Sequence, residues 1–547
     1  MTSTSTRLWR RLLPLVVPVG FFVVFFAYPL ATILGRSLVV DGHVDTGAFA
    51  DVLGDAYYRH VAWFTLWQAT LSTALTLVIG LPAAFAVARF DFPGKRLLRA
   101  VVTVPFVLPT IVVASAFLAL LGPNGPLGAL GIDHGLVPIL LAHVFFNLAI
   151  VVRVVGGTWA RLDRRPSEAA RVLGAGPFRA FTSVTLPALR PAITAAASIV
   201  FLFTFTSFGV VLFLGGPATT TLEVEIYRRT SQLLDLRTAA VLSIVQLLAV
   251  TVAVLWFGRA DRRLPPARLR AERELARRPR DARTRLVLVA ILVPFVTFLA
   301  APLVVLVARS LSTADGIGFD SYRALGTVHA GSSAFPAPTT AIRNSLVIAS
   351  ITTVLALAVG GIAALAVTRR EAGHVERTVD RTLMLPLGAS AVTIGFGFLV
   401  ALDRGVLDLR TSPLILPIAH ALIAVPFVVR VVAPTVRAID PRLREAAAVL
   451  GASPARTWRA IDLPITARAF GVAAGFAFAI SLGEFGATAF LARPDFPTLP
   501  IVIQRLLGLP GASNFGQAMA ASTILMLLAG GAILVFDRFR VGEVGTF

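Results

Sequence analysis

An all-α polytopic membrane protein, with about 12 transmembrane helices in two parallel six-helix modules, is the fold class that three observations predict. The first is composition: 56% of the 547 residues are hydrophobic and 14% charged, with a mean hydropathy of +0.81. A soluble domain carries nearly twice that charge, whereas a helix crossing a bilayer uses about 20 apolar residues. The second is where the charge lies. The net charge is +21, but the arginines fall in alternate loops, as a topology signal does. They do not gather in one stripe, as binding to nucleic acid would require. The third is an internal repeat, the feature that decides architecture before any other.

The repeat is clearest in an Arg-rich stretch between apolar runs. Its first copy is Glu168-Ala-Ala-Arg-Val-Leu-Gly174-Ala-Gly-Pro177, closing with Leu186-Pro187. Its second is Glu445-Ala-Ala-Ala-Val-Leu-Gly451-Ala-Ser-Pro454, closing with Leu463-Pro464. The copies lie 277 residues apart (445 minus 168), and the register continues beyond them. His143 pairs with His420, Val151 with Val428, Arg153 with Arg430, Asp163 with Asp440, and Phe208-Gly209 with Phe485-Gly486. Gly80, Ala83 and Ala84 recur as Gly360, Ala363 and Ala364 at a slightly longer offset.

In chain order, basic residues 1–11 precede an apolar run at about 12–34 that is too long for a signal peptide. It reads as a retained first span with its N-terminus in the cytoplasm. Five further spans are predicted at about 63–88, 100–121, 136–156, 192–215 and 237–257, the last completing a first module over 1–257. The loop after span one carries Asp41, Asp45, Asp51 and Asp55 and is placed outside; Arg89, Lys95, Arg96 and Arg99 place the next loop inside. The loop at about 157–191 holds Arg161, Arg164, Arg165, Arg171, Arg179 and Arg190 and also belongs inside. Residues 258–285 form a basic linker, read as a solvated tether attracted to anionic headgroups. The second module, 286–547, repeats the plan at about 286–308, 343–368, 382–402, 412–433, 469–491 and 516–536, with its motif loop at about 434–468. Both termini are expected in the cytoplasm, and localisation in the plasma (inner) membrane follows.

An even number of spans per module gives both copies the same orientation, so the repeat is parallel about an axis along the membrane normal, with a pathway between the halves. Both motifs then face the cytoplasm. Asp163 or Ser167 is suited to cap a helix starting near Pro166, and Asp440 one starting at Pro441. Gly174 and Gly451 end those helices, and the prolines three residues later bar simple continuation. A short helix, a glycine and a second short helix make a knob outside the bilayer. A bare hairpin linking two spans would not need the Glu, the Gly and the trailing Leu-Pro to recur at fixed spacing, so the duplication points to a shared binding task.

These motifs resemble the cytoplasmic signature loop of permease subunits of bacterial ABC importers. The resemblance covers nearly the whole chain in plan and implies the type I importer permease fold. Two copies in one chain resemble the fused permeases of the thiamine and ferric-iron branch. Leu141-Ala-His-Val-Phe-Phe-Asn147, Thr206-Ser207-Phe208-Gly209, Leu214-Gly215-Gly216 and Thr221-Leu222-Glu223-Val224 lean towards the thiamine permeases. The resemblance implies that each loop is a coupling helix docking into a separate ATPase, with Glu168, Ala169, Ala170, Gly174 and Pro187 in one loop and Glu445, Ala446, Ala447, Gly451 and Pro464 in the other. It further implies a homodimeric ATPase below, holding the ATP and Mg, and an extracytoplasmic solute-binding protein above. Thiamine or its phosphates is the leading substrate and ferric iron the alternative; sulfate, polyamines and phosphonates stay open.

No catalytic residue is expected. A P-loop needs a lysine after its glycines, and the sole lysine, Lys95, sits in Pro93-Gly94-Lys95-Arg96, which is no such loop. Cysteine is absent, so a Cys-based metal site is excluded, and none is expected from His143 and His420, whose match suggests a packing or span-end role shared by both modules. No cofactor is expected on this chain. The candidate pathway residues are Asn147, Ser207 and Glu484, polar groups in apolar spans. Glu484 has a competing role as a cap or bond to a neighbouring helix, and Asn147 as an interhelical hydrogen bond. Arg153 and Arg430 fall at inner span ends, where snorkelling suffices. A secondary transporter also has twelve spans and repeats, but needs no paired cytoplasmic knobs.

Overall fold

The apolar runs fold into long helices, and among the described residues ten are long and apolar enough to cross a membrane. The computed structural model describes residues 13–40, 43–44, 46–262, 278–279, 281–313, 316–326, 337–368, 374–402 and 408–537. Arg7, Arg10 and Arg11 and most of the linker 258–285 lie outside the described residues, as do Asp41 and Asp45.

The first half comprises α1 (Leu13–Leu38), α2 (Ala56–Arg89), α3 (Lys95–Val107), α4 (Thr110–Leu121), α5 (Leu136–Arg161), α6 (Arg165–Val172), α7 (Pro177–Phe205), α8 (Gly209–Leu214), α9 (Leu222–Ser231) and α10 (Leu236–Arg262). The second half repeats it element for element: α11 (Ala282–Ser310), α12 (Pro338–Val367), α13 (His374–Thr382), α14 (Ala391–Ala401), α15 (Ile415–Arg437), α16 (Pro441–Val449), α17 (Pro454–Gly483), α18 (Thr488–Leu491), α19 (Leu499–Gly508) and α20 (Ala512–Asp537). Asp281 caps α11, and its bonds from Thr284 hold its carboxyl below the usual carboxylate range.

Two expectations about the spans change. The third span of each half is not one helix. Residues Leu97–Val107 and Thr110–Leu121 meet at 103°, because Leu108 is driven to an extended conformation ahead of Pro109. In the second half, Pro386 and Gly388 separate α13 from α14, whose first turn is capped by Ser390. The fifth spans, expected at 192–215 and 469–491, start and end earlier. They run from Pro177 to Phe205 and from Pro454 to Gly483, and the chain breaks at Thr206–Phe208 and Glu484–Ala487.

The core of each half is a tight crossing that uses the same residues twice. A Cβ on Gly80 would lie 2.8 Å from Val151 Cγ1, and one on Gly360 would lie 2.9 Å from Val428 Cβ. Small residues let α2 approach α5, and α12 approach α15, without the lipid-excluded gaps that larger side chains would leave. The first helix of each half packs on the opposite half: α1 on α14 and α11 on α4. Gly397 sits under Pro29 at the first of these crossings, a Cβ there reaching Pro29 Cβ at 3.1 Å, and Phe25 meets Phe398 alongside. The exchange binds the halves into one body.

Candidate functional site

Each repeated motif folds as an elbow on the surface. In α6, Gly174 N donates to Arg171 O (3.1 Å) and Ala175 N to Ala170 O (3.0 Å). In α16, Gly451 N donates to Ala448 O (3.0 Å) and Ala452 N to Ala447 O (2.9 Å). This paired pattern closes a helix through a left-handed residue, and Gly174 and Gly451 have φ of +87° and +76°. Only glycine takes that conformation without steric cost. Asp440 caps α16 as expected, accepting from Arg442 N at 2.9 Å. Asp163 accepts from Arg165 N at 3.1 Å, but Arg164 occupies the cap of α6 and Ser167 lies inside the helix.

The knob differs from expectation after the glycine. Its second helix does not stop. Pro177 and Pro454 open helices that widen to one π-helical turn at Phe181–Thr185 and Trp458–Asp462, then run straight through Leu186-Pro187 and Leu463-Pro464 into the span. The wider turn accommodates the proline ring and its missing N–H. Pro187 and Pro464 therefore mark where elbow becomes span.

Glu168, Ala169, Glu445 and Ala446 are exposed, Ala170 and Ala447 half-buried. The largest apolar exposure on the elbows lies just beyond them: Val172 and Leu173 are 87% exposed, Val449 87% and Leu450 86%. The sequence reading passed over these four. Their signal was the Val-Leu pair repeated before each glycine. Matched aliphatic pairs are thus left bare at two equivalent corners of the fold.

The second elbow is anchored by an ion pair whose residues the first half does not repeat. Arg444 reaches Asp462 Oδ1 with Nε at 2.8 Å and Nη2 at 2.7 Å, tying α16 to the base of α17. The equivalent positions in the first half are Ser167 and Thr185.

The structure places the expected pathway residues in two polar knots, one per half. His143 Nδ1 meets Ser72 Oγ at 3.0 Å and Nε2 meets Ser207 Oγ at 2.8 Å, while Asn147 Nδ2 donates to His143 O at 2.8 Å. His420 Nδ1 meets Ser481 Oγ at 2.9 Å, and Nε2 meets Thr488 Oγ1 at 2.9 Å and Glu484 Oε2 at 3.2 Å. Ser481 passes the chain on to Thr352. Glu484 also accepts from Ala487 N and Thr488 N at 3.0 Å each, fastening the break after α17. Asn147, Ser207 and Glu484 are thus buried and bonded within their own half. Among the described residues there is no group of His, Cys, Asp or Glu able to hold a metal ion.

Two pairs of repeat equivalents meet between the halves, and one of them is aromatic. Phe208 and Phe485 stack with ring centroids 5.4 Å apart and planes 15° apart. Gln504 Nε2 approaches Tyr227 Oη at 3.5 Å, again with partners 277 positions apart. Phe208 and Phe490 both pack edge-on against Tyr227, at 5.2 and 5.5 Å. Residues that are repeat equivalents and touch each other must lie beside the pseudo-two-fold axis. Sequence reasoning paired Phe208 with Phe485 but did not see that they meet.

Residues 76–265 match the family described as binding-protein-dependent transport system inner membrane component. The thiamine transport system permease protein ThiP of Salmonella typhimurium is 28% identical over 91% of this chain and 91% of its own. ThiP of Brucella abortus is 29% identical over the whole of both chains. The chain is a fused two-module importer permease. The family match covers most of the first module and the start of the linker, and the second module of the permease is tied to it by the repeat. A chain of a bacterial ABC transporter crystal structure, described as involved in import of the acidic polysaccharide alginate, aligns with 47% of the permease and 99% of itself, at 18% identity and a TM-score of 0.40.

Proposed function

We propose that the permease forms the translocation pathway of an ATP-driven importer of thiamine or its phosphates, working by alternating access between its two halves. The full-length likeness to thiamine permeases carries the substrate, since it spans both halves and the elements between them. The paired elbows carry the mechanism. Each presents a Schellman-closed helix with a bare Val-Leu corner to a partner, and two equivalent corners suit a homodimeric ATPase. Glu168 and Glu445 beside them are suited to pairing with basic groups of that partner. On this reading Glu168, Ala169, Ala170, Gly174 and Pro187, with Glu445, Ala446, Ala447, Gly451 and Pro464, form the coupling surface. A solute-binding protein delivers the substrate on the opposite side, and both termini lie in the cytoplasm with the elbows.

Uptake of labelled thiamine and of ferric iron, measured side by side in cells with and without the gene, tests the substrate. Loss of thiamine uptake alone supports it; loss of iron uptake alone would transfer the same machinery to iron. Gly174→Pro with Gly451→Pro tests the coupling, and intact uptake with intact ATPase co-purification would refute it.

A further inference from the structure

Glu223, on α9, is fully buried yet meets only neutral groups. Gln246 Nε2 donates to Oε1, and Ser390 Oγ donates to Oε2 at 3.1 Å. Glu225 has Arg229 Nε at 2.7 Å, Asp462 has Arg444 and Glu484 has His420. Among the described residues no basic side chain lies within ion-pairing distance of Glu223. A buried carboxylate without a cation is costly, and an ionisable group held inside a membrane protein marks function by default.

Three further observations locate that function. Gln246 Oε1, beside the carboxylate, is buried and has no hydrogen-bond partner. Tyr227 lies four residues on, so it shares one face of α9 with Glu223, and it reaches the axis at Phe208 and Gln504. Ser390 belongs to the opposite half, so parting of the halves withdraws its hydroxyl from Glu223. The repeat equivalent of Glu223 is Pro500; the fold places no carboxylate at this position in its other half.

We propose that Glu223 and Tyr227, together with Phe208 and Phe485, form a transit site for a flat organic cation, Glu223 supplying the counter-charge and the rings the stacking faces. The inference rests on the thiamine reading, thiamine carrying a permanently charged thiazolium ring. Cations over aromatic faces are attracted by the ring quadrupole, and the open Gln246 oxygen is suited to an amine donor on the same ligand.

The test is labelled thiamine uptake by proteoliposomes containing the complete importer with its binding protein. Glu223→Gln keeps an amide that bonds Ser390 while removing the charge, and is expected to lower uptake roughly tenfold with ATPase co-purification retained; Glu223→Asp is expected to recover most of it. Wild-type uptake with Glu223→Gln within twofold of it removes this inference alone. Absence of uptake by the wild-type importer removes the thiamine reading and this inference together. Should Glu223→Gln fail to assemble, Tyr227→Leu against Tyr227→Phe decides: loss confined to the leucine variant supports the site, and equal uptake overturns it.

Discussion

Phe208 and Phe485 are the same residue of the repeat, and they close on each other. Their rings stack at 5.4 Å where α7 and α17 have each just broken. The following glycine is tightly enclosed: a Cβ on Gly209 would lie 2.6 Å from Thr110 Oγ1 on α4 and 3.3 Å from Phe485 Cδ1. On the alternating-access reading proposed above, a pathway along the axis is shut at this pair and opening parts it.

The chain has no cysteine, which makes that statement directly testable. In Phe208→Cys with Phe485→Cys, a short bifunctional methanethiosulfonate, which joins the two thiols through disulfides, is expected to link the halves and stop the uptake that the unlinked double-cysteine protein retains, and reduction of those disulfides is expected to return it to that level. Cleaving the chain in the linker before electrophoresis reports the cross-link. Full uptake by the joined protein would show that the pair does not have to separate.

The crossing of α2 with α5 makes a second prediction. Gly80→Leu or Gly360→Leu forces a branched side chain against Val151 or Val428, where even one Cβ has less than 3 Å. Overpacking of this kind costs about 1–3 kcal/mol. Thermal unfolding of the purified protein in detergent should show the loss, and Val151→Ala should recover part of it for the Gly80 variant. Equal stability with and without Val151→Ala would place the strain elsewhere.

Much of the architecture was legible because period and repeat are properties of the chain itself. Gly80 and Val151 were each matched to a repeat partner by spacing, and the structure shows the two pairs performing one packing task. The match of His143 with His420 suggests a packing or span-end role shared by both halves, and each is the buried centre of a polar knot. The break at Leu108-Pro109 was missed because hydropathy averages across a bend, although the proline was in plain view. Ser207 and Glu484 were candidates for the pathway by polarity alone. Polarity does not state direction, and both turn towards a histidine of their own half. The stacking of Phe208 on Phe485 needed the axis, which only the folded halves define.

The bare corners of the elbows lead to a third prediction. Leu173→Asp with Leu450→Asp changes residues that touch little within the chain, both being nearly nine-tenths exposed. Surface changes of this sort usually shift stability by no more than about 0.5 kcal/mol. Thermal unfolding of the permease should therefore be unaltered, while co-purification of the ATPase and uptake are lost. Retained co-purification would show that the Val-Leu corners are not the docking surface.

The two elbows should also differ from each other. Arg444 holds α16 to α17 through two bonds to Asp462, a carboxylate that is itself nearly buried. Removing one member of such a pair strands the other, and a lost charged hydrogen bond costs about 1.5–3 kcal/mol. Arg444→Ala is expected to raise amide hydrogen exchange across 441–462 and leave 165–185 unchanged, because the bonds it removes lie within the second elbow. Local unfolding registers in exchange long before global stability moves. Arg444→Ala with Asp462→Asn should exchange more slowly than Arg444→Ala alone, since the stranded carboxylate is gone. Exchange rising equally in both elbows would mean that Arg444 acts on the fold as a whole and not on its own corner.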